Sequence, residues 1–279
     1  MLKAHIKNFK SVSKTVEGNE GNKCNYPTRL DTYGCGCQHD CKYCYAKSLL
    51  EFRELWNPKQ PSVANINDIS KQVQKLERNK VVRLGGMTDC FQPMEKLYRN
   101  TYKTIRLLNR RKIPYLIVTK SAMVAEYASV MDKELAHIQI TVTTLDDKLS
   151  ATYEKASNPT DRIQAIKSLQ SAGFDVQLRL SPYIPQNVVI SQFNALGVNK
   201  ILVEFLRVNP FIKKQFDIDY SEYTVKQSGY QHLPLKTKIK YLQDLDFKEM
   251  SVCEDETEAY EYWKHNFNHN PNDCCNLRK

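Results

Sequence analysis

The sequence predicts an α/β fold: a partial (βα)6 barrel of TIM type with a C-terminal extension. Three observations carry this. Six short apolar segments recur between Leu30 and Phe205. Segments with apolar residues at helical spacing alternate with them, which implies βαβ units and a mainly parallel sheet. Glycine and polar residues follow the strand ends, where the loops of such barrels carry function.

The elements follow in order. Residues 1 to 24 form a lead-in, with Glu17-Gly18-Asn19-Glu20-Gly21-Asn22 as a flexible turn. A strand through Leu30 to Tyr33 delivers the chain into a cysteine loop. Tyr45 to Phe52 has helical character and ends before Pro58. Asp68 to Glu77 is a helix with Ile69, Val73 and Leu76 on one face. Lys80 to Leu84 is a strand running into Gly85-Gly86, and Glu95 to Leu108 a helix. Ile113 to Thr119 is a buried strand, followed by a helix around Met123 to Met131. His137 to Thr143 is the next strand. Asp161 to Ala172 is a helix with Gly173 just past its end, the favoured residue for a left-handed cap. Asp175 to Leu180 is a strand, Val188 to Leu196 a helix and Lys200 to Phe205 a strand. The barrel thus spans 25–205. Residues 206–279 lose the alternation and form an extension packed on the barrel, with a helix at Thr237 to Leu245, a strand at Glu249 to Val252 and a helix at Glu256 to Asn266.

Composition narrows the function classes. The 279 residues, 41% apolar, suffice for a sizeable core. No run approaches eighteen apolar residues, which argues against a membrane span, and the N-terminal residues have no apolar signal segment. Nine cysteines without such a segment point to ligands or catalysts in a reducing cytoplasm rather than disulfides. The net charge of +10 attracts polyanions, nucleic acid among them. Its short clusters include Arg110-Arg111-Lys112 and Lys236 to Lys240. The run Glu254 to Glu258 is acidic instead.

Chemistry concentrates in Cys37-Gln38-His39-Asp40-Cys41-Lys42-Tyr43-Cys44. Three thiolates on one loop hold three corners of a cubane iron–sulfur cluster and leave the fourth iron open. An open coordination site is where metal chemistry happens. The other reading is a structural zinc knot with Cys35 as fourth ligand, but C-x2-C zinc sites usually have a second distant pair and none follows here. Beyond the strands stand Gly85-Gly86-Met87-Thr88-Asp89, then Thr119-Lys120, then Thr141, Thr143 and Thr144, then Arg179. Paired glycines admit close backbone approach, or simply turn. Lys120 is either a solvated strand-end residue or a cationic partner for a ligand carboxylate.

The C-x3-C-x2-C spacing, with Tyr43 before the third cysteine, resembles the cluster loop of the radical S-adenosylmethionine (radical SAM) superfamily. The order of motifs is similar to its spore photoproduct lyase-like branch. Its marks are Cys37 to Tyr45, Thr88-Asp89-Cys90-Phe91-Gln92-Pro93-Met94-Glu95, Thr119-Lys120, Thr143-Thr144-Leu145-Asp146, and Asn158-Pro159 through Arg162 to Gly173. They cover roughly residues 25 to 205. The resemblance implies a [4Fe-4S] cluster on Cys37, Cys41 and Cys44, whose open iron chelates S-adenosylmethionine. It implies reductive cleavage to a 5′-deoxyadenosyl radical that abstracts hydrogen from a substrate, and a flavodoxin or ferredoxin-type electron donor. Gly85-Gly86 is similar to the segment that holds the methionyl ammonium, with Thr88 and Asp89 as acceptors. Lys120 would face the cofactor carboxylate. Thr143 and its neighbours would bond the ribose unless they are ordinary strand threonines. Tyr43 would stack on adenine or shield the cluster, and Arg179 closes the fifth strand.

The lyase repairs a thymine dimer in DNA with a cysteine hydrogen donor just before its Thr/Ser-Asp segment. That place here is Met87, which has no hydrogen on sulfur. Cys90 is the substitute donor or a packed thiol. The expected substrate is DNA or a nucleotide-like molecule, on charge and branch similarity. Cys253, Cys274 and Cys275 either ligate a second metal centre, supply or relay a hydrogen atom, or remain unligated. The rival to the enzyme reading is a metal-stabilised nucleic-acid-binding module without radical chemistry.

Overall fold

A computed structural model describes residues 13–277. Eight strands form one sheet in chain order: β1 (Ser13–Thr15), β2 (Thr28–Leu30), β3 (Val82–Leu84), β4 (Tyr115–Thr119), β5 (Ala136–Thr141), β6 (Asp175–Tyr183), β7 (Lys200–Phe205) and β8 (Glu249–Val252). The β1–β2 pair is antiparallel; every other neighbouring pair is parallel. β1 and β8 are the edges, so the barrel is partial. All six residues of β5 are buried, as expected of a parallel strand covered on both faces. Five of the strands lie where the apolar segments place them; the first, foreseen through Leu30 to Tyr33, is Thr28–Leu30, with Tyr33–Gly34 paired separately to Ser62–Val63, and the strand foreseen at Glu249 to Val252 adds a seventh parallel member beside β7.

Local chemistry explains where helices begin. The Asn158 side chain accepts from the Asp161 amide (2.7 Å), and Pro159 occupies the first turn of the helix Pro159–Ser171. The helix foreseen from Glu95 to Leu108 is two pieces, Glu95–Tyr98 and Asn100–Arg111, divided at Arg99 with φ +49°. The Glu95 carboxylate accepts from the Thr101 and Tyr102 amides (2.9 Å each), and the Asn100 amide group donates to the carbonyls of Thr32 and Ala64. A buried cap thus outweighs helical continuity. Ala122–Tyr127 is a 3₁₀ turn rather than an α-helix.

Glu17 to Asn22 is not a flexible turn: Gly18–Lys23 is a short helix. A Cβ on Gly21 would lie 2.1 Å from the Val16 carbonyl oxygen, so the glycine permits close packing here instead of marking flexibility. Glu20 pairs with Arg29 at 2.5 Å, and Lys23 Nζ donates to the Asp255 carbonyl at 2.9 Å. Further ties join Tyr26 Oη to Asp273 and Asn25 to the Asn272 carbonyl, both at 2.5 Å. The lead-in is thereby fastened to the segment that follows β8, across the open side of the sheet.

Candidate active site

Beyond the C-terminal ends of the strands lies a cavity of about 200 Å³. The cysteine loop forms one wall. Cys35 and Asp40 hold positive φ (52° and 43°), and the Asp40 and Cys44 amides close turns onto the Cys37 and Cys41 carbonyls (3.1 and 3.2 Å). This curl brings Cys37, Cys41 and Cys44 to the cavity. All three thiols are free. Burial pushes Cys37 up to about 12, with Asp89 adding to the rise; it also raises Cys41, helped by Glu154, and Cys44. Only a strong local positive charge makes such thiols thiolates, which is what bound iron supplies. Among the described residues no three His, Cys, Asp or Glu side chains converge on a single ion. The loop suits a cluster, whose thiolates sit on separate irons.

The segment Thr88 to Glu95 holds this loop. Asp89 Oδ1 accepts from the Phe91 amide and Thr119 Oγ1 (2.8 Å each), and Oδ2 accepts from the Lys120 amide (2.7 Å) and faces His39 Nε2 at 3.2 Å. Although burial opposes its charge, His39 and these amides hold the carboxyl down to about 2. Gln92 accepts from the Gln38 amide (2.9 Å), and Gln38 accepts from the Met94 amide (2.7 Å). Glu95 is fully buried, taking the hydroxyls of Tyr33 and Tyr127 in addition to its two amides. Thr88 Oγ1 donates to the Tyr33 carbonyl at 2.7 Å. The oxygens of Asp89 are therefore engaged within the protein, whereas the Thr88 hydroxyl only donates and can still accept; both residues line the cavity. Gly85, at φ +80°, and Gly86 complete the turn; a Cβ on either would come within 3 Å of Thr88 O or Arg29 Cδ. Asp31 fixes it from behind by accepting from the Gly86 amide at 2.6 Å.

A second clamp comes from Glu154. It pairs with Arg162, both side chains wholly buried, and accepts from the hydroxyls of Tyr43 and Ser150. Backbone bonds from Lys42 to Tyr153 (2.9 Å) and from Lys155 to His39 (2.7 Å) zip the same segment to the cysteine loop. Lys120 Nζ lies 5.5 Å over the Tyr43 ring, with no carboxylate at ion-pairing distance among the described residues.

The opposite wall is made from strand ends. Arg179 donates to Gln139 (2.7 Å) and Glu204 (2.6 Å), and Arg207 faces Glu204 and Asp255. Despite burial, Arg179 and Arg207 pull the Glu204 carboxyl down to about 2. Cys253 lines this wall with its thiol against Cys274, which in turn meets Cys275.

Of the residues singled out in the sequence, the fold gathers Cys37, Cys41, Cys44, Gly85, Gly86, Thr88, Asp89, Lys120, Arg179 and Cys253 around one cavity. Others lie elsewhere. Cys90 packs in the core, 1% exposed. Tyr43 lies behind the loop on Glu154, and Thr143 meets the Tyr153 hydroxyl at 2.9 Å. Cys274 lines a neighbouring cavity, and Cys275 packs against Leu116 and Leu202. Sequence reasoning passed over Asp31, Gln38, Glu154 and the Arg29–Arg83 pair, because no spacing rule announces a residue that acts across the fold.

Comparison with known proteins places this geometry in context. The model of the radical SAM superfamily matches residues 32–187. The uncharacterized protein MJ0683 of Methanocaldococcus jannaschii is 24% identical over 211 residues, which cover 74% of this chain and 79% of that protein. Among solved structures, a spore photoproduct lyase variant with bound AdoMet and dinucleoside spore photoproduct superposes with a TM-score of 0.66 at 15% identity, covering 88% of this chain and 79% of the other. Streptococcus suis SuiB bound to its precursor peptide gives a TM-score of 0.54 at 14% identity, covering 85% and 51%.

Proposed function

Because the chain belongs to the radical SAM superfamily and is a radical SAM enzyme, we propose that Cys37, Cys41 and Cys44 hold a [4Fe-4S] cluster, that the adjoining cavity binds S-adenosylmethionine, and that the substrate is a nucleic acid or nucleotide-like molecule. When bound, these groups supply a 5′-deoxyadenosyl radical by reductive cleavage, a step that belongs to the cofactor chemistry.

The protein's part is positioning and exclusion of water. Asp89, Gln92 and Glu154 hold the loop that carries the thiols. The Gly85-Gly86 turn lets backbone groups approach the methionyl end. Backbone carbonyls and the Thr88 hydroxyl, which donates but keeps its lone pairs, would accept from the ammonium, since Asp89 is already engaged. Lys120, the cation without a carboxylate partner beside the loop, receives the cofactor carboxylate. Tyr43 shields the cluster from behind instead of stacking on adenine. Nine free thiols agree with a reducing cytoplasm, and among the described residues no helix is long and apolar enough to cross a membrane. A flavodoxin or ferredoxin-type protein delivers the electron.

One observation carries the reading: three thiols from one loop, those of the buried Cys37 and Cys41 and the half-buried Cys44, open on the cavity that Gly85, Gly86 and Lys120 also line. The test is anaerobic reconstitution with iron and sulfide, reduction with S-adenosylmethionine present, and assay of 5′-deoxyadenosine. Wild type should produce it and Cys41→Ala should fall to background. A fully loaded cluster that yields none would sink the proposal. Stimulation by thymine-dimer DNA with loss of the dimer would identify repair; production indifferent to DNA would point to another substrate.

A further inference from the structure

Arg29 and Arg83 are directly opposed partners in the parallel β2–β3 ladder. Facing positions on neighbouring strands share a side of the sheet, and like charges so placed repel. Both guanidinium groups line the cavity. Arg29 is only 8% exposed. Each has a buried Nε–H with no acceptor, a condition rare enough to call for an explanation. Glu20 satisfies one edge of Arg29 at 2.5 Å. The Arg83 side chain makes no ion pair or hydrogen bond among the described residues. Asp31, two residues beyond Arg29, gives its oxygens to the amides of Gly86 and Met87.

The turn after β3 is the Gly85-Gly86 turn, so the pair sits at the root of the segment assigned to the cofactor. It differs from the arginines of the opposite wall. Arg179 and Arg207 are neutralised by Glu204 and Asp255, whereas Glu20 pairs with Arg29 alone and Asp31, bound to two amides, acts on both arginines without pairing with either. A planar fork with free N–H groups matches the oxygens of a phosphate or carboxylate.

We propose that Arg29 and Arg83 form an oxyanion subsite of the cavity, which binds a phosphate or carboxylate group carried by the substrate. The subsite fixes the distance between that anion and the reacting atom, because Arg83 is built on a sheet strand and its neighbour on the next. The substrate assignment rests on the reading of this cavity as the radical site; the binding of an anion does not.

The test uses the full chain, with inorganic phosphate, acetate, thymidine 5′-monophosphate and thymidine as probes in calorimetric titration and thermal melts. Phosphate or acetate, and the monophosphate, should bind saturably, and thymidine far more weakly than its monophosphate. Arg83→Gln should weaken the anions by about tenfold or more, and Arg83→Lys, which keeps charge but loses the fork, by less. The ranking of phosphate against acetate tells which anion the site takes. Anion affinity indifferent to Arg83 would overturn the proposal. Displacement of phosphate by S-adenosylhomocysteine would reassign the pair to the cofactor carboxylate and overturn the substrate assignment. Wild type that binds phosphate through Arg83 but makes no 5′-deoxyadenosine would refute the radical reading and leave the anion site standing.

Discussion

The two walls of the cavity are rich in the same chemistry and are built in opposite ways. On the near wall three thiols lie within eight consecutive residues, Cys37 to Cys44, and one segment, Tyr153 to Arg162, clamps them from behind. On the far wall Cys24 and Cys253 come from distant stretches, with Cys274 and Cys275 behind them, and the charges of Arg179, Glu204, Arg207 and Asp255 come from three strand ends. The near wall is dry at its clamp, with Arg162 and Glu154 at 0% side-chain exposure, while Glu204 keeps 25%. A dry clamp and a partly exposed charge network therefore lie face to face. The near wall fixes thiols in one geometry, and the far wall offers a quarter-exposed charge network to whatever enters.

Three experiments press on this contrast, from the largest expected effect downward. Glu154→Ala leaves Arg162 charged and buried without its partner, which should cost about 3–5 kcal/mol in urea unfolding. A variant of near wild-type stability would show that the near wall is not the rigid one. The far wall should instead answer to acid. Glu204 titrates near 2 in the fold against an ordinary 4.5; its contribution is full above about pH 4.5 and is lost as pH falls towards 2. Linkage sets an upper value of about 3 kcal/mol, and partial exposure brings it to about 2. Glu204→Gln should flatten that acid limb when stability is compared at pH 6 and pH 3; an unchanged slope would assign the limb elsewhere. Smallest should be Cys274→Ser, at about 1 kcal/mol or less, because a thiol is a weak hydrogen-bonding group. Iron content should stay as in wild type, and a clear drop would reveal a second metal centre on the far wall.

Much of the near wall was legible in the sequence, because its ligands sit at short regular spacing on a loop that follows a strand. The strands were legible too, since parallel strands buried on both faces read as apolar runs. What escaped depends on partners far along the chain. The acid in Thr88-Asp89 reads as a ligand for the cofactor; only the fold shows that Thr119, the Lys120 amide and His39 already claim it. Cys90 reads as a donor beside the site, yet the turn directs it into the core. Gly18 and Gly21 read as a flexible turn because glycine is a poor helix former, and the close approach of Gly21 to the Val16 carbonyl that favours it there is set by how the chain enters the helix, which composition does not show. Nothing in the spacing of Arg29 and Arg83 says that they become neighbours.

The open side of the sheet is crossed by Lys23, Asn25 and Tyr26 reaching Asp255, Asn272 and Asp273. A ladder of main-chain bonds resists shear as a unit, but these ties are separate side-chain clasps that release one at a time. The barrel therefore closes by a seam unlike its ladder: side chains of the lead-in, with Tyr26 also packed in the cluster around Cys275, join it where no strand pairing does.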